Sequence, residues 1–419
     1  MRKSIIALFT LALLPLASLR AQTMYIWNHN LAVTYPAAEV GDITYINGGS
    51  DLLVCGDTIS TSYIDSITMG ADLDKATVTV TYTGLSPIIT LPYTLAHTLT
   101  VELPESGEDV EITSTNSEGD GITYVLSGTS TNGSFTLNGK YKCDVKLQQL
   151  SLASTSGPAI NILTGKRTRF NLGNAGDVNT LSDAAGGSHK ACLYVKGHPE
   201  FEGDGTLNIT AATGHGLAST EYLEIASGNI NILAAPSDGI HCKQYFKMTG
   251  GNVNIQNIDG DGIQAEITDD TSDEDNGQLI ISGGTLSITG KAADASALKS
   301  DSLMTLQGGN ITIDMDGAGV KGLNSGTDIV IGQSGTSATT SAIVLGITVN
   351  GGEYTDPTTG DTKKTRGIKA DRDLTVMSGT TTVTATGKKS KSIKVDGTST
   401  LYSQAKVTTN DGYSFDAKK

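Results

Sequence analysis

The chain has 419 residues and a formal net charge of −15, which makes nucleic acid and anionic membrane poor partners for its surface as a whole. Its 50 glycines, 9 prolines and 5% aromatic residues suit many short strands joined by tight turns around an aliphatic core. The apolar content of 37% excludes a disordered chain.

Residues 1–21, "MRKSIIALFTLALLPLASLRA", open with Arg2 and Lys3, continue through an apolar run from Ile5 to Leu14 and end at the small Ala21 before Gln22. This is the pattern of a secretory signal cut near Ala21–Gln22, and the run is too short to span a bilayer. No cysteine follows the run to suggest a lipid anchor there, and no later stretch is long enough to span. The mature chain is expected outside the cytoplasm, in the periplasm, at the cell surface or in the medium. Cys55, Cys143, Cys192 and Cys242 lack metal-ligand spacing. In an oxidising compartment they are open to pairing or to burial as single thiols.

Residues 22–105 read as a small β module. The segment Val40-Gly41-Asp42-Ile43-Thr44-Tyr45 matches Ile64-Asp65-Ser66-Ile67-Thr68-Met69 in spacing, as two copies of a hairpin would. The module is either a separate domain or a cap for the repeats that follow. Residues 110–183 keep strand alternation with longer, irregular periods.

From there a tetrad recurs: Cys192-Leu193-Tyr194-Val195, Gly216-Leu217-Ala218-Ser219, Gly239-Ile240-His241-Cys242 and Gly262-Ile263-Gln264-Ala265. It continues as Ala297-Leu298-Lys299-Ser300, Gly319-Val320-Lys321-Gly322, Gly367-Ile368-Lys369-Ala370 and Ser392-Ile393-Lys394-Val395. Each is followed by an alternating segment, a Gly turn and a second alternating segment. Three short strands, each apolar on one face and closing on themselves in about 22–23 residues, describe one turn of a repeat. The fold expected for residues 106–419 is all-β: a right-handed parallel β-helix with three strands per turn. Polar inserts at Ile267–Gly277 and Thr355–Thr365 fall at turns, where a coil of stacked repeats tolerates them. The insert acids Asp269, Asp270, Asp273, Glu274 and Asp275 lack calcium-loop spacing and read as a solvated loop.

Three constellations carry possible chemistry. The outward residue of each tetrad gives a column containing His241, Gln264, Lys299, Lys321, Lys369 and Lys394. It is either an anion-binding track for uronate carboxylates or a solvated face neutralised by Asp301, Asp371 and Asp396. Tyr222 and Tyr245 share a register and are candidate sugar platforms, or half-buried packing residues. Asp238, Asp259 and Asp261 sit at neighbouring corners, with Glu266 and Asp294 as further ligands. Stacked carboxylates repel unless a cation intervenes, and calcium takes six to eight oxygens; Asp-Gly is also good turn chemistry in its own right. No Ser-His-Asp order, Gly-x-Ser-x-Gly elbow or phosphate loop is present, while Arg366 and Arg372 beside Lys369 leave room for a lyase base.

The stretch Asp261-Gly262-Ile263-Gln264-Ala265-Glu266, followed by "LIISGGTLSIT", resembles the signature region of a bacterial secreted carbohydrate-binding β-helix family with a pectate-lyase-like fold. The resemblance covers roughly Val110 to Asn410. It implies binding of a polysaccharide, including acidic pectic chains such as polygalacturonate, with calcium ions and without established catalysis. A polysaccharide lyase and a structural or adhesive surface protein are the competing expectations. The insert at Ile267–Gly277 departs from the family pattern, and Ser296, Ala318 and Arg366 stand where later repeats lose the corner Asp.

Overall fold

Alternating apolar residues need a partner surface, and in this chain each turn of the repeat supplies it to the next. The computed structural model describes residues 22–71, 74–103, 107–269, 272, 275–335 and 342–416. The expected signal segment and the insert acids Asp270, Asp273 and Glu274 lie outside the described residues. The chain divides into two compact units: residues up to 75 together with 90–94, and residues 76–89 with 95 onward.

In the first unit Gln22–Asn28 pairs antiparallel with both Leu31–Pro36 and Ser66–Ala71. Thr44–Ile46, Asp51–Val54 and Asp57–Ser60 form a separate antiparallel sheet. Met24, Ile26, Tyr35, Leu52 and Val54 make its core. The two segments with matching spacing take different roles, one as an edge of the small sheet and one beside Gln22–Asn28.

The second unit is the expected parallel β-helix. Its first ladder has twelve strands, among them Ile240–Lys243, Ile263–Glu266, Ser296–Ser300, Lys321–Ser325, Arg366–Ala370 and Lys391–Val395. All are parallel except the outermost, Leu99–Glu102, which runs antiparallel to Val110–Ser114. The other two sides begin fused: the 11-residue strand Cys143–Ala153 pairs through its first half with Thr168–Asn171 and through its second with Val178–Ser182. From that point a second ladder, containing Tyr245–Met248, and a third, containing Asn252–Ile255, run separately. Thr77–Tyr82, expected within the N-terminal module, pairs parallel with Ile122–Ser130 of the helix. Period-two alternation is the same in a hairpin and in a helix turn, so pattern alone did not place this boundary.

The core is a pile of like residues. Leu217, Ile240, Ile263, Leu298, Leu323, Ile368 and Ile393 are in register in the first ladder, and all are buried. Ile232, Ile255, Ile288, Ile313, Ile347 and Val383 do the same in the third. Each contributes about 1.5–3 kcal/mol when fully buried. The two piles approach so closely that a Cβ on Gly239 would lie 2.5 Å from Ile255 Cγ2 and 2.8 Å from the Gly262 carbonyl, which explains the glycine that opens the tetrad. The Gly-Gly corners have another cause: Gly251 and Gly284 hold φ at +76° and +87°, a conformation that L side chains disfavour.

The four cysteines are free, and Cys143, Cys192 and Cys242 are buried in the stack; burial pushes the Cys143 thiol up to about 12. The insert between 355 and 365 is a small antiparallel hairpin of Glu353–Thr355 and Thr362–Lys364. Among the described residues no helix is long and apolar enough to cross a membrane. Ile263→Ala, which opens a hole between Ile240 and Leu298, is expected to lower stability by about 2–5 kcal/mol, read as a fall in the urea midpoint with an unchanged slope.

Candidate functional site

The outward column of the first ladder runs Ala218, His241, Gln264, Lys299, Asn324, Lys369, Lys394 in register. Lys321 is not part of it. Leu323, rather than Val320, takes the stacked aliphatic position, so Lys321 pairs with Ser296 and Arg366, and Asn324 occupies the outward place. Two Gly-aliphatic-polar sequences stand three residues apart at this turn, and only the packing selects the second. Lys321 is buried with its ammonium on the Asp294 carboxylate; burial pulls its pKa down, against the pull of Asp294.

Corrected for this register, the residue before the glycine reads Asp238, Asp261, Ser296, Lys321, Arg366 along the helix. The corner column turns from acidic to basic. The guanidinium of Arg366 donates to the carbonyls of Thr365 at 2.7 Å and Lys389 at 2.9 Å, and that of Arg372 is paired with Asp328. Neither guanidinium is uncommitted.

The remaining lysines of the outward column each meet a carboxylate. Lys299 lies 2.9 Å from Asp261, Lys369 pairs with Asp371 and Lys394 with Asp396. The Lys369 and Lys394 pairs, half-exposed, are worth about 0–1 kcal/mol each, so they neutralise the column more than they brace it; Asp261, by contrast, is buried.

Tyr222 and Tyr245 do stack, with ring centroids 4.8 Å apart and planes 4° from parallel, and His198 stacks below Tyr222 at 4.5 Å. Their hydroxyls donate to Glu200 at 3.0 Å and Glu224 at 3.1 Å. Burial, then the neighbouring carboxylates, pushes both hydroxyls well above the usual tyrosine range. The facing ring surfaces cover one another, leaving mainly edges to solvent.

The five carboxylates expected to hold calcium do not converge. Asp238 Oδ1 accepts the Asp261 N–H at 2.7 Å, and Asp261 Oδ1 accepts the Ser296 N–H at 2.6 Å, so each buried Asp ties down the next turn. Burial raises the Asp261 pKa, partly offset by Lys299. Glu266 takes the Lys243 ammonium at 3.0 Å, Asp294 is paired with Lys321, and Asp259 is exposed; among the described residues the converging group is His215, Asp238 and His241. Calcium needs six to eight oxygens, whereas Asp261, Glu266 and Asp294 already face N–H or ammonium donors and Asp238 faces an N–H and two imidazoles. The set does not fit the ion; turn chemistry accounts for Asp238 and Asp261.

A different surface is uncommitted. The third-ladder strands lengthen from 4 residues at Asn252–Ile255 to 6 at Thr285–Gly290, 7 at Asn310–Asp316 and Val344–Asn350, and 8 at Gly379–Thr386. The residues added at the strands' C-terminal ends run past the corner at Asn257, whose φ is 51°; Gly379 instead extends the last strand at its start. They flank a groove of about 710 Å³ lined by, among others, Asp259, Lys291, Asp314, Asp316, Asn350 and Thr386. Asp316, Asn350 and Thr386 follow one another in register. They are linked by an Asn350 Nδ2 donation to Asp316 at 3.1 Å and a Thr386 hydroxyl donation to Asn350. Among the described residues, the side chains of Asp259, Lys291 and Asp314 have no hydrogen-bond or ion-pair partner. The signal in the sequence was the longer alternation of "NITIDMD", "VLGITVN" and "TTTVTAT", which puts polar side chains on one outward face.

A stack of parallel turns with polar outer faces and a groove along its length defines a repeat scaffold that presents an extended binding surface. The profile of the carbohydrate-binding domain-containing protein family matches residues 106–413, and the chain belongs to that family. A solved structure described as the polysaccharide lyase-like protein from C. thermocellum, a gadolinium derivative, is similar at 22% identity. The match covers 59% of this chain and 96% of that one, with a TM-score of 0.49. No curated protein matches.

Asp261→Asn keeps an acceptor for the Ser296 N–H but removes the charge facing Lys299; the expected loss is about 1–3 kcal/mol. Asp261→Ala also orphans the N–H and is expected to lose more, so urea midpoints should fall in the order wild type, Asn, Ala.

Proposed function

We propose that this is an exported, non-catalytic polysaccharide-binding protein whose glycan lies along the third-ladder groove. Membership of a carbohydrate-binding family supports the general activity. The observation that carries the location is the row of uncommitted polar groups: Asp259, Lys291 and Asp314, beside Asp316, Asn350 and Thr386, on successive turns. Turns repeat at about 4.8 Å, so hydroxyl acceptors and donors recur at a regular pitch along the groove. Carboxylates, amides and hydroxyls are the partners that sugar hydroxyls need.

The charge of the groove bears on the sugar. Three carboxylates face one ammonium there, so a neutral glycan is bound by direct hydrogen bonds. A polyuronate such as polygalacturonate brings carboxylates against Asp259, Asp314 and Asp316, and like charges repel unless a cation lies between them. Binding of the pectic chain is therefore expected to require calcium.

Affinity electrophoresis tests this reading with neutral plant-type polysaccharides and with polygalacturonate, each with calcium and with chelator. Asp259→Asn with Asp314→Asn is expected to weaken retardation at least tenfold, while Lys369→Ala with Lys394→Ala leaves it within about twofold. The reverse pattern moves the site to the first-ladder column, and no retardation on any gel refutes the proposal. A flat absorbance trace for unsaturated products during incubation with polyuronate and calcium is expected; a rising trace makes the protein a lyase.

A further inference from the structure

His215, Asp238 and His241 form a cluster on the first-ladder corner that the groove does not use. His215 opens the strand His215–Ser219, His241 lies in the strand of the next turn, and Asp238 is in the corner just before it. Asp238 Oδ2 lies 3.2 Å from His215 Nδ1 and 3.1 Å from His241 Nδ1. The three side chains are 20%, 10% and 18% exposed, so the cluster is shielded yet reachable. One ligand atom from each residue lies within 4.8 Å of the others.

Two further observations bear on a cation here. The Asp238 backbone N–H also reaches His215 Nδ1, at 3.2 Å. A single imidazole nitrogen cannot accept from that N–H and donate to Oδ2 at once. Its one lone pair serves either that N–H or an ion, so an ion bound at Nδ1 takes the place of the Asp238 N–H. The outer groups are arranged as well. Asp238 Oδ1 is fixed by the Asp261 N–H, which leaves Oδ2 directed at the two rings. The far nitrogen of His241 lies 3.6 Å from Glu266 Oε2, and Lys243 holds that carboxylate at 3.0 Å. A carboxylate behind the second ring nitrogen is the usual support of a metal-bound histidine.

We propose that His215 Nδ1, Asp238 Oδ2 and His241 Nδ1 bind one divalent transition-metal ion of the zinc type, with water at the open fourth position. Two imidazoles and one carboxylate suit zinc-like ions and not calcium. Metal–ligand bonds of about 2.0–2.1 Å in a tetrahedron put ligand atoms about 3.3–3.4 Å apart, close to the two Oδ2 distances. The two rings are stacked with centroids 4.6 Å apart and planes at 25°. Glu266 acts as a positioning residue through His241. None of this depends on where the glycan binds.

The test uses the untagged mature chain after chelator treatment, titrated with Zn²⁺ by calorimetry and with Co²⁺ by absorption. One ion per chain is expected. Co²⁺ should give visible d–d bands without the near-ultraviolet thiolate band that Cys55 would produce. His215→Gln with His241→Gln should weaken binding at least 100-fold, and Glu266→Gln, which leaves all three ligands in place, about 10- to 100-fold. Circular dichroism and thermal melts establish that each variant is folded, and Glu266→Gln keeps the test decisive if the double variant is not. Absence of saturable binding, a thiolate band, or unchanged affinity in the folded double His variant overturns the proposal.

Discussion

Backbone hydrogen bonds between successive turns set a pitch of about 4.8 Å, and every row of side chains on this protein inherits it. Inside, the pitch brings one aliphatic side chain onto the next, as with Ile240, Ile263 and Leu298, and their burial supplies the driving force for the coil. Outside, the same pitch forces chemically like residues into rows, where they must be compatible at a short repeat distance. Aromatic rows resolve this by stacking, as Tyr222 and Tyr245 do. Charged rows resolve it by drawing in opposite charges, as the lysines of the first ladder do.

That requirement separates the committed faces of the helix from the uncommitted one. On the first ladder nearly every charged group has a partner one turn or two residues away. Even the corner carboxylates of Asp238 and Asp261 serve the backbone of the following turn. The groove on the third ladder differs because its strands grow longer beyond Asn257, adding outward positions that the packing does not engage. Among the described residues the side chains of Asp259, Lys291 and Asp314 have no partner there, and the proposed glycan, which itself repeats along its length, would engage them.

The Asp-x-x-His spacing of Asp238 and His241 is an ordinary turn feature by itself. It becomes chemistry because His215, on the preceding turn, is carried to the same carboxylate oxygen. A solenoid makes such sites from residues about 23 positions apart in the chain, so each member looks unremarkable in its own repeat.

The sequence by itself determined the class of fold and most of the stacking order. The Gly-aliphatic-polar-small tetrad at Gly239 and Gly262 permits one arrangement that buries every aliphatic, and period-two alternation names the outward residue of each strand. Three matters were left to the tertiary structure. At Gly319 to Ser325 two overlapping tetrads fit the same pattern, and the strand register puts Leu323 between Leu298 and Ile368 and buries Lys321. At Thr77–Tyr82 alternation was equally consistent with a hairpin and a helix turn, and the partner strand decided. Whether a charged or aromatic side chain is free or spent depends on its neighbours across turns, and those distances exist only once the coil is wound.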